Sequence, residues 1–179
     1  MRLEGSAAVI KKEYDEPEFI DVTKGRNEQM GEQIVTEIRD LCIEQPFAVL
    51  STQGDEQPYT NLISFAFNEE LNRFVFATPA QTRKYTLICR NGKVSLLIDN
   101  RSQQPNSINL IRAATVTGKA RVLQEPTEID QWAALLIKRH SYLEKFIKSP
   151  TSGLILVEVI RFFYVRRFQE VYQWIPNKT

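Results

Sequence analysis

The sequence predicts a mainly β protein, an antiparallel barrel with helices at its periphery. Three observations carry that expectation. About seven short runs have the composition and alternation of strands. The early runs are joined by turns of about five residues, too short for the crossovers that parallel strands need. Helical periodicity is confined to three segments, whereas a parallel α/β sheet would interleave helices with strands along the whole chain.

Taking the elements in order, residues 1–27 are mixed in charge and weakly patterned, and are expected to form an arm beside a single domain at 28–179. In "EQMGEQIVTEIRDLCIEQP", Met30, Ile34, Ile38, Leu41 and Cys42 fall on one helical face and Pro46 marks the stop. The period then changes. "FAVLSTQ", "YTNLISFAF" and "RFVFAT" read as a three-stranded meander, with Tyr59, Asn61, Ile63, Phe65 and Phe67 on one face of the middle strand. A short helix starts near Thr82 and is closed by Asn91-Gly92. "KVSLLID" is nearly continuous in apolar character and suits a strand covered on both faces.

The polar stretch "NRSQQPNSINLIRA" is long for a loop in a compact domain. "ATVTGKARVL" resumes as a strand, with Gly118 marking a bulge or a close backbone approach. Residues 127–148 predict one amphipathic helix whose stripe includes Ile129, Trp132, Ala133, Leu136, Ile137, Leu143 and Ile147. "LILVEVIRFFYVRRF" and "EVYQWIP" complete the set as a long and a short strand.

Composition narrows the function. The chain has 179 residues, 42% apolar and 25% charged, enough for one sizeable core. A net charge of +1 gives no bulk electrostatic case for nucleic acid or an anionic membrane, so any anion site must be local. No run approaches the roughly 18 apolar residues of a membrane span. The opening residues lack the apolar core of a secretory signal, so a cytoplasmic protein is expected. Cys42 and Cys89 sit in no CxxC or Cys/His cluster, so no metal site is expected; two buried thiols are the simple reading and a disulfide the alternative. His140 is the only histidine, which excludes two-histidine mechanisms and favours a structural role for it. No P-loop, G-x-G-x-x-G, G-x-S-x-G or H-E-x-x-H occurs.

One feature runs against helix electrostatics. The helix at "TRKYTLICRNG" opens with Arg83 and Lys84, where the positive end of the macrodipole disfavours cations. Either the pair is merely solvated, or an anion binds between the two side chains. The context favours the anion: free backbone N–H groups, the Thr82 hydroxyl, a guanidinium and an ammonium together match a phosphomonoester. A phosphate grip without a side-chain catalyst suits an enzyme whose cofactor does the chemistry.

These stretches resemble the pyridoxamine 5′-phosphate oxidase-like family of FMN-binding split barrels. The likeness runs from about Phe47 to Val122, on the meander, the "TRKYTLICRNGKVSLLIDN" element and "AATVTGKARVL", with a weaker echo near Trp174. The resemblance implies an antiparallel split β-barrel with peripheral helices, homodimeric, with two FMN molecules in the subunit interface. It implies that Thr82, Arg83 and Lys84 hold the FMN phosphate. Asn61, Leu62, Ile63 and Ser64 would lie along the isoalloxazine, chiefly through backbone groups, and Ala77 and Thr78 would border it. Trp174 would approach the partner subunit's flavin, or else serve as a core or interface tryptophan.

The departures bear on substrate. Leu62 and Phe67 stand where pyridoxamine-phosphate oxidases carry Arg and Lys, Arg112-Ala113 replaces an Arg-Gln pair, and the C-terminal Arg-x-His is absent. The flavin site is thus expected to be retained and the vitamin-B6 site lost. The implied activity is an FMN-dependent oxidoreductase acting on an unidentified small molecule. The alternatives are a non-catalytic flavin-binding or sensory module, or a relative that binds deazaflavin or haem. Haem draws little support, since the C-terminal histidine of the haem-handling relatives is missing.

Overall fold

The computed structural model describes residues 18–23, 28–54 and 56–177. It contains one nine-stranded sheet with helices against it. Strands β2 (Phe47–Gly54), β3 (Gln57–Ser64), β4 (Ala66–Phe67), β5 (Arg73–Pro79) and β6 (Lys93–Asp99) precede β7 (Ala113–Val122), β8 (Ser152–Arg166) and β9 (Glu170–Trp174). β1 (Glu18–Asp21) belongs to the expected arm, and it runs parallel to β9. Val22 and Thr23 follow it, and the rest of that arm lies outside the described residues. The helices are α1 (Glu28–Glu44), α2 (Arg83–Arg90), α3 (Pro126–Arg139) and α4 (Glu144–Ile147).

The sheet order is β1-β9-β8-β7-β6-β2-β3. β8 is fifteen residues long, so one of its edges carries β5 on its first half and β9 on its second. Its other edge pairs β7, where the register slips between Thr117 and Gly118 and leaves Ile160 without a partner on β7. A Cβ on Gly118 would stand 2.6 Å from the Glu158 carbonyl oxygen, so the bulge expected at this glycine is real and requires it.

The barrel does not close as a hydrogen-bonded circuit. β3 pairs β2 and β4 pairs β5, and the expected continuous strand "YTNLISFAF" changes partners between them at Phe65, which pairs in neither ladder. The Phe65 ring is fully buried, so its freed backbone carbonyl needs a partner inside the core. His140 supplies it, donating from Nε2 at 2.9 Å, while Tyr142 approaches Nδ1 at 3.3 Å.

That contact breaks the second long helix. The expected helix at 127–148 ends at Arg139, because His140 leaves helical geometry (φ −130°, ψ 64°); a 3-10 turn at Ser141–Leu143 and α4 follow. Next to it, the Arg139 guanidinium donates to the carbonyls of Cys42, Ile43 and Gln45 and lies over the rings of Phe65 and Phe67. α1 has no basic residue in its own last turn, and Arg139 serves its C-terminus from another helix.

Two cores result. Ile34, Ile38 and Leu41 of α1 pack with Leu50, Leu96 and Val116 in the larger. Trp132 and Leu136 of α3 and Ile147 of α4 pack with Val75 and Leu154 in the smaller. β5 and β8 serve both through the two-residue period: Phe74, Phe76, Ile155 and Val157 face the first, and Val75, Leu154 and Leu156 the second. β6 instead alternates buried and half-buried residues, so its second face is less covered than its composition suggests. Cys42 is buried, its thiol pushed up to about 12 by desolvation, but Cys89 is exposed and both are free thiols. On α1 itself, Glu37 accepts from Tyr164 (3.0 Å) and Arg166 (2.6 Å), tying that helix to β8.

His140→Ala strands the Phe65 carbonyl, at a cost of about 1–3 kcal/mol, and should lower Tm by roughly 2–12 °C for a chain of this size. Burial also lowers the His140 pKa below 6.5. The unfolded chain therefore binds the proton more readily, so this contribution is whole above pH 6.5 and shrinks as pH falls below it. His140→Gln keeps a donor but cannot titrate. Thermal melts between pH 7 and pH 5 should show a shallower loss of stability in that variant than in the wild type.

Candidate functional site

The site begins where β5 runs into α2. Thr82 is the N-cap, in extended geometry (φ −78°, ψ 150°) with its side chain accepting from the Tyr85 N–H at 3.4 Å. Its hydroxyl also donates to the Pro79 carbonyl at 2.9 Å and lies 2.9 Å from the Thr78 hydroxyl. Thr78 is buried, so the end of β5 and the start of the helix are pinned together from beneath. On the other side of that strand end, Gly153 pairs with Thr78, and a Cβ there would come within 2.6 Å of the Tyr85 ring. α2 can pack this closely only against glycine.

The cations stand on that base. α2 has no acid in its first turn. Arg83 is exposed, with its guanidinium 5.4 Å from the centre of the Tyr59 ring. This contact brings the start of α2 to β3. Lys84 is half-buried, and desolvation lowers its pKa. Among the described residues no carboxylate lies within ion-pair distance of either Arg83 or Lys84. A desolvated ammonium without a counter-ion is a cost that a bound anion would remove.

β3 supplies the next wall. Asn61 follows Tyr59 by two residues and so shares its face. Both polar atoms of its amide are buried, and neither has a hydrogen-bond partner among the described residues. Ile63 on that face is buried in the larger core, Ser64 is half-buried at the last ladder position before Phe65, and Leu62 points the other way, 63% exposed. Ala77 is half-buried on β5. Thus Thr78, Thr82, Arg83 and Lys84 form one cluster, and Tyr59 links it to the strand that carries Asn61–Ser64.

Trp174 is not part of that cluster. It pairs with Phe162 on β8, their rings 5.2 Å apart, whereas Thr78 pairs with Gly153 nine residues earlier on the same strand. At ~3.3 Å per residue the separation is about 30 Å. Within one chain, Trp174 and the basic pair cannot share a small ligand.

Sequence reasoning placed Tyr59 only on a strand face. Its role under Arg83 depends on how α2 folds back onto β3, for which the chain has no local signal. The arrangement offers donors and positive charge for a phosphate-sized anion. Among the described residues, no cluster of histidine, cysteine or acidic side chains could hold a metal ion, and no helix is long and apolar enough to cross a membrane.

Comparison with known proteins bears on the family and the fold. The family model for pyridoxamine 5′-phosphate oxidase matches residues 34–166. No match to a curated protein sequence was found. Among solved structures, Campylobacter jejuni ChuZ superposes with a TM-score of 0.70 at 13% identity, covering 82% of this chain and 60% of its own. A heme binding protein from Mycobacterium smegmatis gives 0.69 at 14%, covering 78% and 56%. A Clostridium acetobutylicum protein related to general stress protein 26 of B. subtilis, of the pyridoxinephosphate oxidase family, gives 0.63 at 16%, covering 80% and 95%. This chain thus spans under two thirds of the first two, and at these identities the likeness is one of fold. With three quarters of its length inside the family model and the same fold in its neighbours, the chain belongs to the pyridoxamine 5′-phosphate oxidase family.

Proposed function

We propose that the protein is an FMN-binding flavoprotein, an oxidoreductase acting on a small molecule, and that it works as a homodimer with flavin in the subunit interface. The observation that carries this reading is the acid-free first turn of α2, where Arg83 and a half-buried Lys84 flank a helix start capped by Thr82. The residues fit a flavin mononucleotide. Thr82, Arg83, Lys84 and the free N–H groups of the turn would hold its phosphate. The orphaned amide of Asn61, an NH2 donor group beside a carbonyl acceptor, would meet the polar groups that follow the phosphate. The backbone of Asn61–Ser64 with Ala77 and Thr78 would border the ring. Bound FMN supplies the hydride or electron transfer, for which no side chain here is an evident substitute.

Two observations support the dimer. Leu62 and Phe47 expose apolar surface at the β3 end of the sheet, 63% and 44% exposed. Trp174, too far from the grip of its own chain, is half-buried against Phe162 and the larger core, and its remaining exposed surface is available to a partner's. Leu62 in place of the oxidases' Arg argues against a vitamin-B6 substrate.

A haem reading, prompted by the heme binding neighbour, does not suit the one imidazole present. His140 is buried with Nε2 engaged by the Phe65 carbonyl.

The purified protein should carry, or take up, FMN with the visible absorbance of oxidised flavin. It should elute at about twice the 20.7 kDa chain mass by light scattering. Absence of flavin uptake would overturn the proposal. A mass of one chain would remove the shared site. Arg83→Ala with Lys84→Ala removes charge-assisted bonds worth about 1.5–3 kcal/mol each, so FMN affinity should fall at least a hundredfold while Tm holds. Asn61→Leu separates binding from stability. It removes an unsatisfied buried amide, so the FMN-free protein should melt at the same temperature or higher, while FMN binds at least threefold more weakly.

A further inference from the structure

A cavity lies on the opposite side of the β5–β8 pair from α2. Gly153 meets Tyr85 of α2, whereas its neighbours Ser152 and Leu154 turn to the other face, where α3 and α4 pack. There a cavity of about 640 Å³ opens between α3, α4 and the start of β8. That volume suits a drug-sized molecule and is far more than a buried water needs.

Its walls are apolar: Leu123, Ile129, Ala133, Ile137, Ile147 and Leu154. The break at His140 makes two helices where the sequence predicted one, and so creates the space between them. The charges at the mouth balance. Glu144 and Lys148 pair at 2.6 Å, and Asp130 and Lys138 contribute one charge of each sign. A strong anion or cation gains no net attraction from such a rim. Ser152 lines the cavity, and its hydroxyl is buried just beneath the wall with no hydrogen-bond partner among the described residues, although Ser149 nearby bonds to Thr151 at 2.9 Å.

We propose that this cavity is a ligand site for a neutral, mainly apolar small molecule, and that the Ser152 hydroxyl engages a single polar atom on it. The site is separate from the phosphate grip and stands whether or not the chain binds flavin. The walls supply burial without charge selection, and Ser152 fixes the orientation, because a buried hydroxyl left unpaired penalises ligands that offer it nothing.

The probe is Nile red, a neutral dye with a carbonyl acceptor, titrated into the full chain and followed by fluorescence. One saturable site per chain is expected. Anilinonaphthalene sulfonate, an anion of comparable apolar character, should bind at least tenfold more weakly. Ser152→Ala should weaken Nile red three- to tenfold without lowering Tm, and Ala133→Phe should abolish the site by filling it. Ile43→Lys, which removes an exposed apolar residue on α1, should leave binding unchanged. Dye binding that is indifferent to Ser152→Ala overturns the proposal even if Ala133→Phe does not fold. Equal affinity for the sulfonate, or loss of binding in Ile43→Lys, also overturns it.

Discussion

The hydrogen bond from His140 Nε2 to the Phe65 carbonyl is the constraint around which the rest of the molecule is arranged. One strand must serve two ladders, giving up β2 and taking on β5, and the change leaves a polar backbone group in the dry interior. Satisfying that group forces the chain out of helical geometry at His140. The departure places Arg139 under the carbonyl end of α1 and over two rings of the core. A single backbone requirement thus sets the end of one helix, the cap of another and the division into two cores. The arrangement resists partial change, because removing either side chain leaves buried carbonyls unpaired.

The same framework fixes the turn from β5 into α2. β5 and the first half of β8 are packed on both faces, so the strand that delivers Thr78 and Pro79 has little freedom. Thr78, Thr82 and the Pro79 carbonyl lock the turn above it. Beside this turn, among the described residues, stand polar groups without partners: an ammonium with its pKa lowered by burial, and a buried amide with neither hydrogen bond made. Unsatisfied groups of this kind lower local stability, and the stiff strands beneath keep them from relaxing onto each other.

Most of the fold was legible because it was local. The 3.6-residue period from Met30 to Cys42, the alternation in the meander, the cap at Thr82 and the bulge at Gly118 each reflect chemistry within a few residues. The two breaks were not legible. "YTNLISFAF" reads as one strand and 127–148 as one helix, and what interrupts them is a contact between residues 75 positions apart. The site divides in the same manner. Thr82, Arg83 and Lys84 stand out because they violate a local electrostatic rule, and Thr78 lies four residues before Thr82. The Tyr59 stack and the unpaired amide of Asn61 depend on how α2 folds back over β3. The exposure of Cys89 turned on its position in a two-turn helix, which composition does not fix.

β1 and β9 add a consequence of a different kind. Glu18 pairs with Glu170, residues separated by 170 − 18 = 152 positions, and the ladder between these strands is the parallel one. Closing so long a loop costs entropy before any contact repays it, so this pairing belongs to the last stage of folding. During synthesis β1 emerges early and waits for its partner until nearly the whole domain has left the ribosome. The sheet margin at β9 is the portion of the molecule whose assembly is timed by translation rather than by local preference.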